Sequence, residues 1–345
     1  MNVLISSAGR RNYLVDYFRH ALRGRARILA ADMSPHAPAL GAADAGFVIP
    51  SAADERHTDA LVQVCQQQDV QLLFSVNDLE LLTLAEHKDL FGSIGTHVLV
   101  SGPEVVRVCL DKLETDAFLN RHGISSPLTI EAGMDGLVDA LPEGLSYPLV
   151  VKHRFGSASS GLDVVRDRFE LEAVLALAHS RSRWAVDEAV EDGRPDLVIQ
   201  PYLSGEEYGL DIMNDLEGRY VATAVKRKLS MRAGETDQAI TVADAGLEQL
   251  GERIGRSLGH VGVLDCDVMV SEGVPYVIDL NPRFGGGYPF SHAAGVDMPS
   301  AILAWLEGTA PDPDWLVCRA DVTGAKYDML LSPSVLDTHT WPPSS

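Results

Sequence analysis

The stretch that most constrains this chain is residues 261–288, VGVLDCDVMVSEGVPYVIDLNPRFGGGY. Residues 262–270 predict a strand, Ser271-Glu272-Gly273 a turn and 275–280 a second strand. Both runs are apolar, and Glu-Gly is turn chemistry. Oxygen donors interrupt the runs: Asp267 in the first, Asp279 and Asn281 at the end of the second. Residues two apart on a strand share a face, so Asp279 and Asn281 point together, and a hairpin can set Asp267 opposite them. Carboxylates on buried strands are costly unless paired or metal-bound. Mg²⁺ takes one or two carboxylates plus substrate phosphates. Arg283 follows, and Gly285-Gly286-Gly287 lets backbone approach a ligand. A lone Asp here would read as a turn cap, but four such residues on one short apolar stretch favour a site.

The 345 residues leave room for two or three domains with real cores. Net charge is −21, from 49 acidic against 28 basic residues, which disfavours bulk-charge binding to nucleic acid or an anionic membrane. Cys65, Cys109, Cys266 and Cys318 lie far apart without CxxC spacing. That argues against structural zinc and for a reducing, cytoplasmic setting. MNVLISSAGRR carries its charges after a short apolar run, unlike a signal peptide, and no window is long enough to span a membrane.

Residues 3–5 read as a buried strand, Ser6 to Arg11 as a small-residue turn, and Tyr13, Leu14, Tyr17, Phe18 and Leu22 as one face of a helix. That is the opening of a doubly wound α/β domain. GxGxxG is absent, so a dinucleotide site is not supported. Arg10 and Arg11 put positive charge at a helix start, against its dipole, which leans toward an anionic ligand over a solvated turn. Further strands are expected at 28–31, 47–49 and 72–76, with a helix at 55–68. Asp32, Asn77, Asp78 and Glu80 then stand at strand ends, where open α/β sheets bind ligands. Capping explains any one of them equally well.

Ser101-Gly102-Pro103 reads as a domain boundary, followed by helical stretches from 105 and from Asp111-Lys112-Leu113 to Arg121. Residues 149–152 form a strand ending in Lys152, and 162–165 a returning strand. Between them lies a small-residue loop containing Gly156, Ser157, Ala158, Ser159 and Gly161. Its backbone N–H groups could wrap phosphates, with Lys152 adding a point charge; a plain flexible hairpin tip is the competing reading. It is not a Walker A loop. Gln200-Pro201-Tyr202-Leu203 reads as an extended hinge whose backbone could meet an adenine edge, and Glu207 begins a half-buried strand. Lys226, Arg227, Lys228 and then Arg232 form a local basic patch with Glu235 nearby. A helix is expected at 247–258 and another at 299–306, with one or two strands in 317–331 and an irregular tail at 332–345.

In this order, Lys112, Lys152, the small-residue loop, the hinge, Glu207, the basic patch, Asp267 and VIDLNPR resemble the ATP-grasp superfamily. The branch most similar is that of carbamoyl-phosphate synthase large subunit and biotin carboxylase, and PFSHAAGV adds to the likeness. The resemblance implies an α/β plus α+β chain: a Rossmann-like preATP-grasp domain (1–102), then a two-lobed ATP-grasp domain (103–331). Of its lobes, 103–200 includes the flap and 201–331 binds metal. It implies that Lys112, Lys152 and the flap residues Gly156 to Gly161 hold ATP phosphates, Gln200, Tyr202 and Leu203 the adenine, and Glu207 the nucleotide near its ribose. Asp267, Asp279 and Asn281 would hold Mg²⁺, with Mn²⁺ as the alternative. Arg283 would face the reacting carboxylate, with Arg232 and Glu235 close to the transferred phosphate. Both metal carboxylates are Asp where Glu is commoner, and His153 replaces a usual proline. Neither a glutaminase domain nor a second synthase half is present in this sequence, so a stand-alone ligase is expected.

The implied reaction is activation of a small-molecule carboxylate as an acyl phosphate, then capture by an amine, with release of ADP and phosphate. Arg10, Arg11, Asp32 and Asp78, with Gly286, suggest a small amino acid or related acid as substrate. Two alternatives stay open: a bicarbonate-using enzyme working through carboxyphosphate, and a nucleotide-binding regulator without turnover. No nucleic-acid or membrane partner is expected, and a homodimer is.

Overall fold

The computed structural model describes residues 1–133, 137, 141–155, 162–182, 197–330 and 338–340. The N-terminal domain alternates strand and helix: β1 (Asn2–Ser6), α1 (Asn12–Leu22), β2 (Ile28–Asp32), α2 (Pro38–Ala42), β3 (Ala45–Val48), α3 (His57–Gln67), β4 (Val70–Ser75), α4 (Asp78–Glu86), α5 (Lys88–Ser93) and β5 (His97–Val98). The strands lie parallel in the order β3-β2-β1-β4-β5. Chain direction across the sheet reverses between β1 and β4, which is where doubly wound folds place ligands. On β1, Val3 and Ile5 enter one core and Leu4 the other, all fully buried, worth about 1.5–3 kcal/mol each.

Next come α6 (Pro103–Leu110), α7 (Lys112–Arg121), β6 (Ile130–Glu131), β7 (Leu149–His153), β8 (Asp163–Val165), α8 (Arg168–Ser182) and β9 (Leu197–Pro201). Their strands form a small antiparallel sheet, β6-β9-β7-β8, with its own core around Leu149, Val151, Leu171 and Ile199. The remainder is β10 (Glu206–Asn214), β11 (Tyr220–Arg232), β12 (Glu235–Thr241), α9 (Ala245–Leu258), β13 (Gly262–Ser271), β14 (Val274–Asn281), α10 (Tyr288–Ala293), α11 (Met298–Leu306), β15 (Thr323–Ala325) and β16 (Thr338–Thr340). An antiparallel sheet, β14-β13-β10-β11-β12-β15, gathers most of these strands.

The tail read as irregular departs from that expectation: β16 pairs in parallel with β3 at the edge of the N-terminal sheet. Its pairing is long-range, so no local pattern announces it. Among the described residues no helix is long and apolar enough to cross a membrane.

One core joins the first domain to the last sheet. Phe18 and Phe74 lie 4.9 Å apart, Phe74 and Phe284 5.7 Å, and Phe284 and Tyr288 4.8 Å, measured between ring centroids. Such pairs add about 0.5–1.5 kcal/mol beyond their burial. The loop from Arg283 to Gly287 is thereby pressed against the N-terminal domain, whereas the small sheet keeps a separate core.

Candidate active site

The β13–β14 hairpin is built on a two-residue turn, Glu272 (φ 51°) and Gly273 (φ 78°), closed by the Ser271–Val274 pair. Two positive φ values in a row suit the twist of a hairpin. Val268 pairs with Val277, but a register shift follows, and Asp267 pairs with Asp279 and Asp265 with Asn281. Ile278 is the extra residue of this bulge. Without it Asp267 would face Ile278, so the bulge brings the two carboxylates opposite each other. The freed Ile278 carbonyl accepts a hydrogen bond from Lys152 Nζ at 3.3 Å.

Two lysines close on this point. Lys112 opens α7, is almost fully buried, and has its Nζ 3.8 Å from Asp279 Oδ1. Asp111 caps that helix through Leu113 N–H, while Arg154 donates to both Asp111 carboxylate oxygens at 2.8 and 2.6 Å. The first turn of α7 is thus tied to the end of β7, which carries Lys152. Burial pushes the Lys152 ammonium down to about 8, with Asp279 pulling the other way and Lys112 adding repulsion. A lysine so placed gains from an arriving anion.

The basic patch expected around Lys226 is not open. β11 alternates its side chains, and each cation meets acid. Lys226 lies 2.7 Å from Asp211, Arg227 2.6 Å from Glu206, and Lys228 2.7 Å from Glu207 and 2.6 Å from Asp267. Burial pushes the Asp267 carboxyl up, and Lys228 opposes that. Glu207, expected near a ribose, is thus connected to the carboxylate pair through Lys228. Lys226 and Asp211 are completely buried beneath Gly287.

Arg283 follows β14 and turns toward the N-terminal domain. Its Nη2 donates to Asp78 Oδ2 at 2.9 Å and its Nη1 to Asp265 Oδ2 at 3.3 Å, while its buried Nε has no acceptor among the described residues. A Cβ on Gly285 would stand 2.1 Å from Asp265 Cγ, so only glycine lets the loop pass. Beside it Arg11 binds Glu235 at 2.8 Å and donates to the Tyr13 hydroxyl at 2.9 Å, and Lys326 reaches Glu235 at 3.1 Å.

The other expected residues lie as follows. Asp32 caps no helix but accepts from the Gly9 and Ser34 N–H groups, holding the two loops that follow β1 and β2. Arg10 is exposed and paired with Asp328, and Arg232 pairs with Asp237 and Asp328 at the same surface. The Gln200 amide donates to Thr129 Oγ1, Tyr202 N–H donates to the Pro148 carbonyl, and Leu203 is half-buried. Gly156, Ser157, Ala158, Ser159 and Gly161 lie outside the described residues. Sequence reasoning passed over Asp265 and Lys326, and placed Lys228 only in an open basic patch. Asp265 carried a signal, two positions from Asp267 on one strand.

Among the described residues no group of three or more His, Cys, Asp and Glu could hold a metal. Asp267, Asp279 and Asn281 therefore fit Mg²⁺ only together with oxygens from outside the protein, as a nucleotide's phosphates would supply. The Asn281 amide nitrogen donates to Asp279 Oδ2 at 3.2 Å, which leaves its carbonyl oxygen to ligate.

Residues 3–99 match the model of the PylC-like N-terminal domain, and residues 193–326 that of the ATP-grasp domain in the biosynthetic pathway with Ter operon. The chain is 26% identical over 242 residues to D-alanine–D-alanine ligase of Bacillus anthracis, covering 64% of this chain and 75% of that one. It is 24% identical over 232 residues to the carbamoyl phosphate synthase large chain of Methanocorpusculum labreanum, covering 65% of this chain but 21% of the relative. In structure it resembles the biotin carboxylase domain dimer of Hydrogenobacter thermophilus 2-oxoglutarate carboxylase, with a TM-score of 0.71 at 15% identity, covering 92% of this chain and 72% of that one.

Proposed function

We propose that this chain, an ATP-grasp protein with a PylC-like N-terminal domain, is an ATP-dependent ligase that joins a small-molecule carboxylate to an amine. The observation that carries the reading is the pairing of Asp267 with Asp279 across β13 and β14, with the buried Lys112 and the half-buried Lys152 converging on the same point. Two carboxylates, an amide oxygen and two ammonium groups at one cleft suit a metal–triphosphate. The D-alanine–D-alanine ligase likeness supports an amine as acceptor.

Each residue then has a task. Lys112 and Lys152 bind phosphate oxygens and neutralise them. Asp267, Asp279 and Asn281 would hold Mg²⁺, or Mn²⁺, which when bound supplies positive charge to the β- and γ-phosphates. Arg283, clamped by Asp78 and Asp265, orients the substrate carboxylate for attack on the γ-phosphorus. Positioning and charge carry such a transfer. The amine then displaces phosphate from the acyl phosphate, and amide, ADP and phosphate leave. The reading gives Gln200, Tyr202 and Leu203 to the adenine, the loop from Gly156 to Gly161 to phosphate closure and exclusion of water, and Arg232 and Glu235 to the rim of the site. A homodimer belongs to the same proposal, supported by the dimeric Hydrogenobacter structure. So does a cytoplasmic setting, supported by the unpaired thiols of Cys65, Cys109, Cys266 and Cys318.

An ADP-release screen pairing candidate acids with amines, followed by mass analysis of products, tests this. Amide products with stoichiometric ADP support it. Label from bicarbonate in the product would move the assignment to a carboxyphosphate enzyme, and nucleotide binding without turnover on any pair would favour a regulator.

A further inference from the structure

Asp78 and Glu80 stand two positions apart in the first turn of α4 and turn to different partners. Asp78 reaches Arg283 at the proposed reacting centre. That contact is single-pointed: Nη2 meets Oδ2, while Arg283 Nε and Asp78 Oδ1 have no partner among the described residues. A two-bond fork fixes its own geometry. One bond takes its geometry from the elements that carry the two residues. Arg283 is set by the end of β14, by Asp265 and by Phe284 in the aromatic cluster. Asp78 depends on where α4 begins.

Glu80 is anchored to the sheet at that point. It is 1% exposed, and its Oε1 accepts from Ser6 Oγ at 2.7 Å and Ser7 Oγ at 2.9 Å and lies 2.7 Å from His57 Nε2. His57 Nδ1 in turn stands 2.8 Å from the Pro50 carbonyl. Ser6 ends β1, Pro50 follows β3, and α4 itself follows β4. One carboxylate oxygen thus fastens the start of α4 to the carboxyl ends of β1 and β3. Burial works against the Glu80 charge, and His57, Ser75 and Ser6 outweigh it. Two features go beyond what packing needs. Ser7 holds φ 45°, a left-handed conformation uncommon for a residue with a Cβ, in the turn that leads from β1 to Arg11. Glu80 Oε2 is buried with no partner among the described residues. Replacing a buried ion pair with apolar residues is often neutral or stabilising, so packing alone does not account for this one. Strained backbone beside an unsatisfied buried charge is what a functional face tolerates and a plain core does not.

We propose that Glu80 is a positioning residue of the reacting centre: anchored on Ser6, Ser7 and His57, it fixes the first turn of α4 so that Asp78 holds Arg283 in place. The task given to Arg283 rests on the ligase reading, whereas the mechanical link from Glu80 to Asp78 does not. Glu80→Gln keeps the shape and removes the charge, and Ser7→Ala takes one donor from the same oxygen. Lost stability by itself does not decide the matter, since a broken buried pair destabilises wherever it lies.

The first measurement is a double-mutant cycle with Asp78→Asn in urea unfolding of the full chain. Asp78→Asn lowers the folding constant of the parent, and in the Glu80→Gln background the same change should lower it by a factor at least about threefold smaller. Should Glu80→Gln fail to fold, Ser7→Ala takes its place in the cycle. Equal factors in the two backgrounds would overturn the proposal, whether or not the chain is a ligase. The second measurement is ADP release with Mg²⁺–ATP and the acid–amine pair that the screen identifies. Glu80→Gln should lower kcat about tenfold and Ser7→Ala about threefold, with KM for ATP within about twofold of the parent in both, the split expected when a group at the reacting centre is misplaced and the nucleotide site is not. Val64→Ala opens a cavity in the core of the same domain without touching Glu80, so it should lose stability and keep the parent kcat. A kcat unchanged in Glu80→Gln, or lowered as much in Val64→Ala, would leave Glu80 a structural residue only. Turnover of no pair by the parent would sink the ligase reading, and the cycle alone would then decide the link from Glu80 to Asp78.

Discussion

Arg283 and Asp78 are 205 positions apart in sequence, yet Nη2 and Oδ2 meet at 2.9 Å with both side chains 8% exposed. Arg283 follows β14, the strand that carries Asp279 and Asn281, and Asp78 opens a helix at the carboxyl end of β4. One ion pair thus ties the proposed reacting centre to the N-terminal domain. Asp265 and burial complete its setting: burial works against the guanidinium charge, and Asp78 and Asp265 outweigh it.

Removing the arginine should therefore cost stability as well as function. Arg283→Ala leaves Asp78 and Asp265 without their cation and should destabilise by about 3–5 kcal/mol, read from urea unfolding. Asp78→Asn keeps the shape but frees the guanidinium. Once substrates are known it should lower kcat by about a hundredfold, as a small misplacement of a positioning group does. An unchanged kcat in Asp78→Asn would remove the clamp from the account.

Glycines along the loop give a steric test with a built-in contrast. Gly285→Ala sets a Cβ 2.1 Å from Asp265 Cγ, and forced overpacking costs about 1–3 kcal/mol. Gly92→Ala, on α5, meets nothing within 4 Å and should stabilise by about 0.4–1 kcal/mol. Thermal melts of the two variants should move in opposite directions.

A buried pair in the N-terminal domain sets a pH window. His57 Nε2 lies 2.7 Å from Glu80 Oε1, and His57 Nδ1 lies 2.8 Å from the Pro50 carbonyl; both neighbouring atoms are acceptors, which favours the doubly protonated ring. Burial works against each charge. Glu80 nevertheless holds His57 above its ordinary value of 6.5, and His57, Ser75 and Ser6 hold Glu80 below 4.5. The His57 contribution is complete below 6.5 and is lost as pH rises through its raised value. The Glu80 contribution is complete above 4.5 and is lost as pH falls through its lowered value. Urea midpoints should form a plateau between those limits. In His57→Gln both shoulders should flatten, with a drop of about 3–5 kcal/mol at the plateau.

Much of this was open to a reader of the sequence, for reasons that differ by residue. Asp279 and Asn281 share a face because strands alternate, and 261–288 carried its turn in Glu272-Gly273. The facing of Asp267 and Asp279 depends on a bulge at Ile278 that no local pattern encodes. Lys226, Arg227 and Lys228 read as a positive patch because their partners Asp211, Glu206, Glu207 and Asp267 lie on neighbouring strands. The α8 helix, with Leu171, Val174, Leu175 and Ala178 at helical spacing, showed its signal and was passed over. The strand Thr338–Thr340 owes its existence to β3, remote in sequence. Asp78 read as a cap or a ligand, and its arginine partner was legible only in three dimensions.

The central claim is that Asp267 and Asp279 hold a metal on a nucleotide's phosphates. Calorimetric titration of AMP-PNP, with and without Mg²⁺, into the parent chain and Asp279→Ala tests it most directly. The account predicts that Mg²⁺ tightens binding by at least about tenfold in the parent, and that Asp279→Ala abolishes this gain. A Mg²⁺ effect of equal size in Asp279→Ala, or none in the parent, would contradict it.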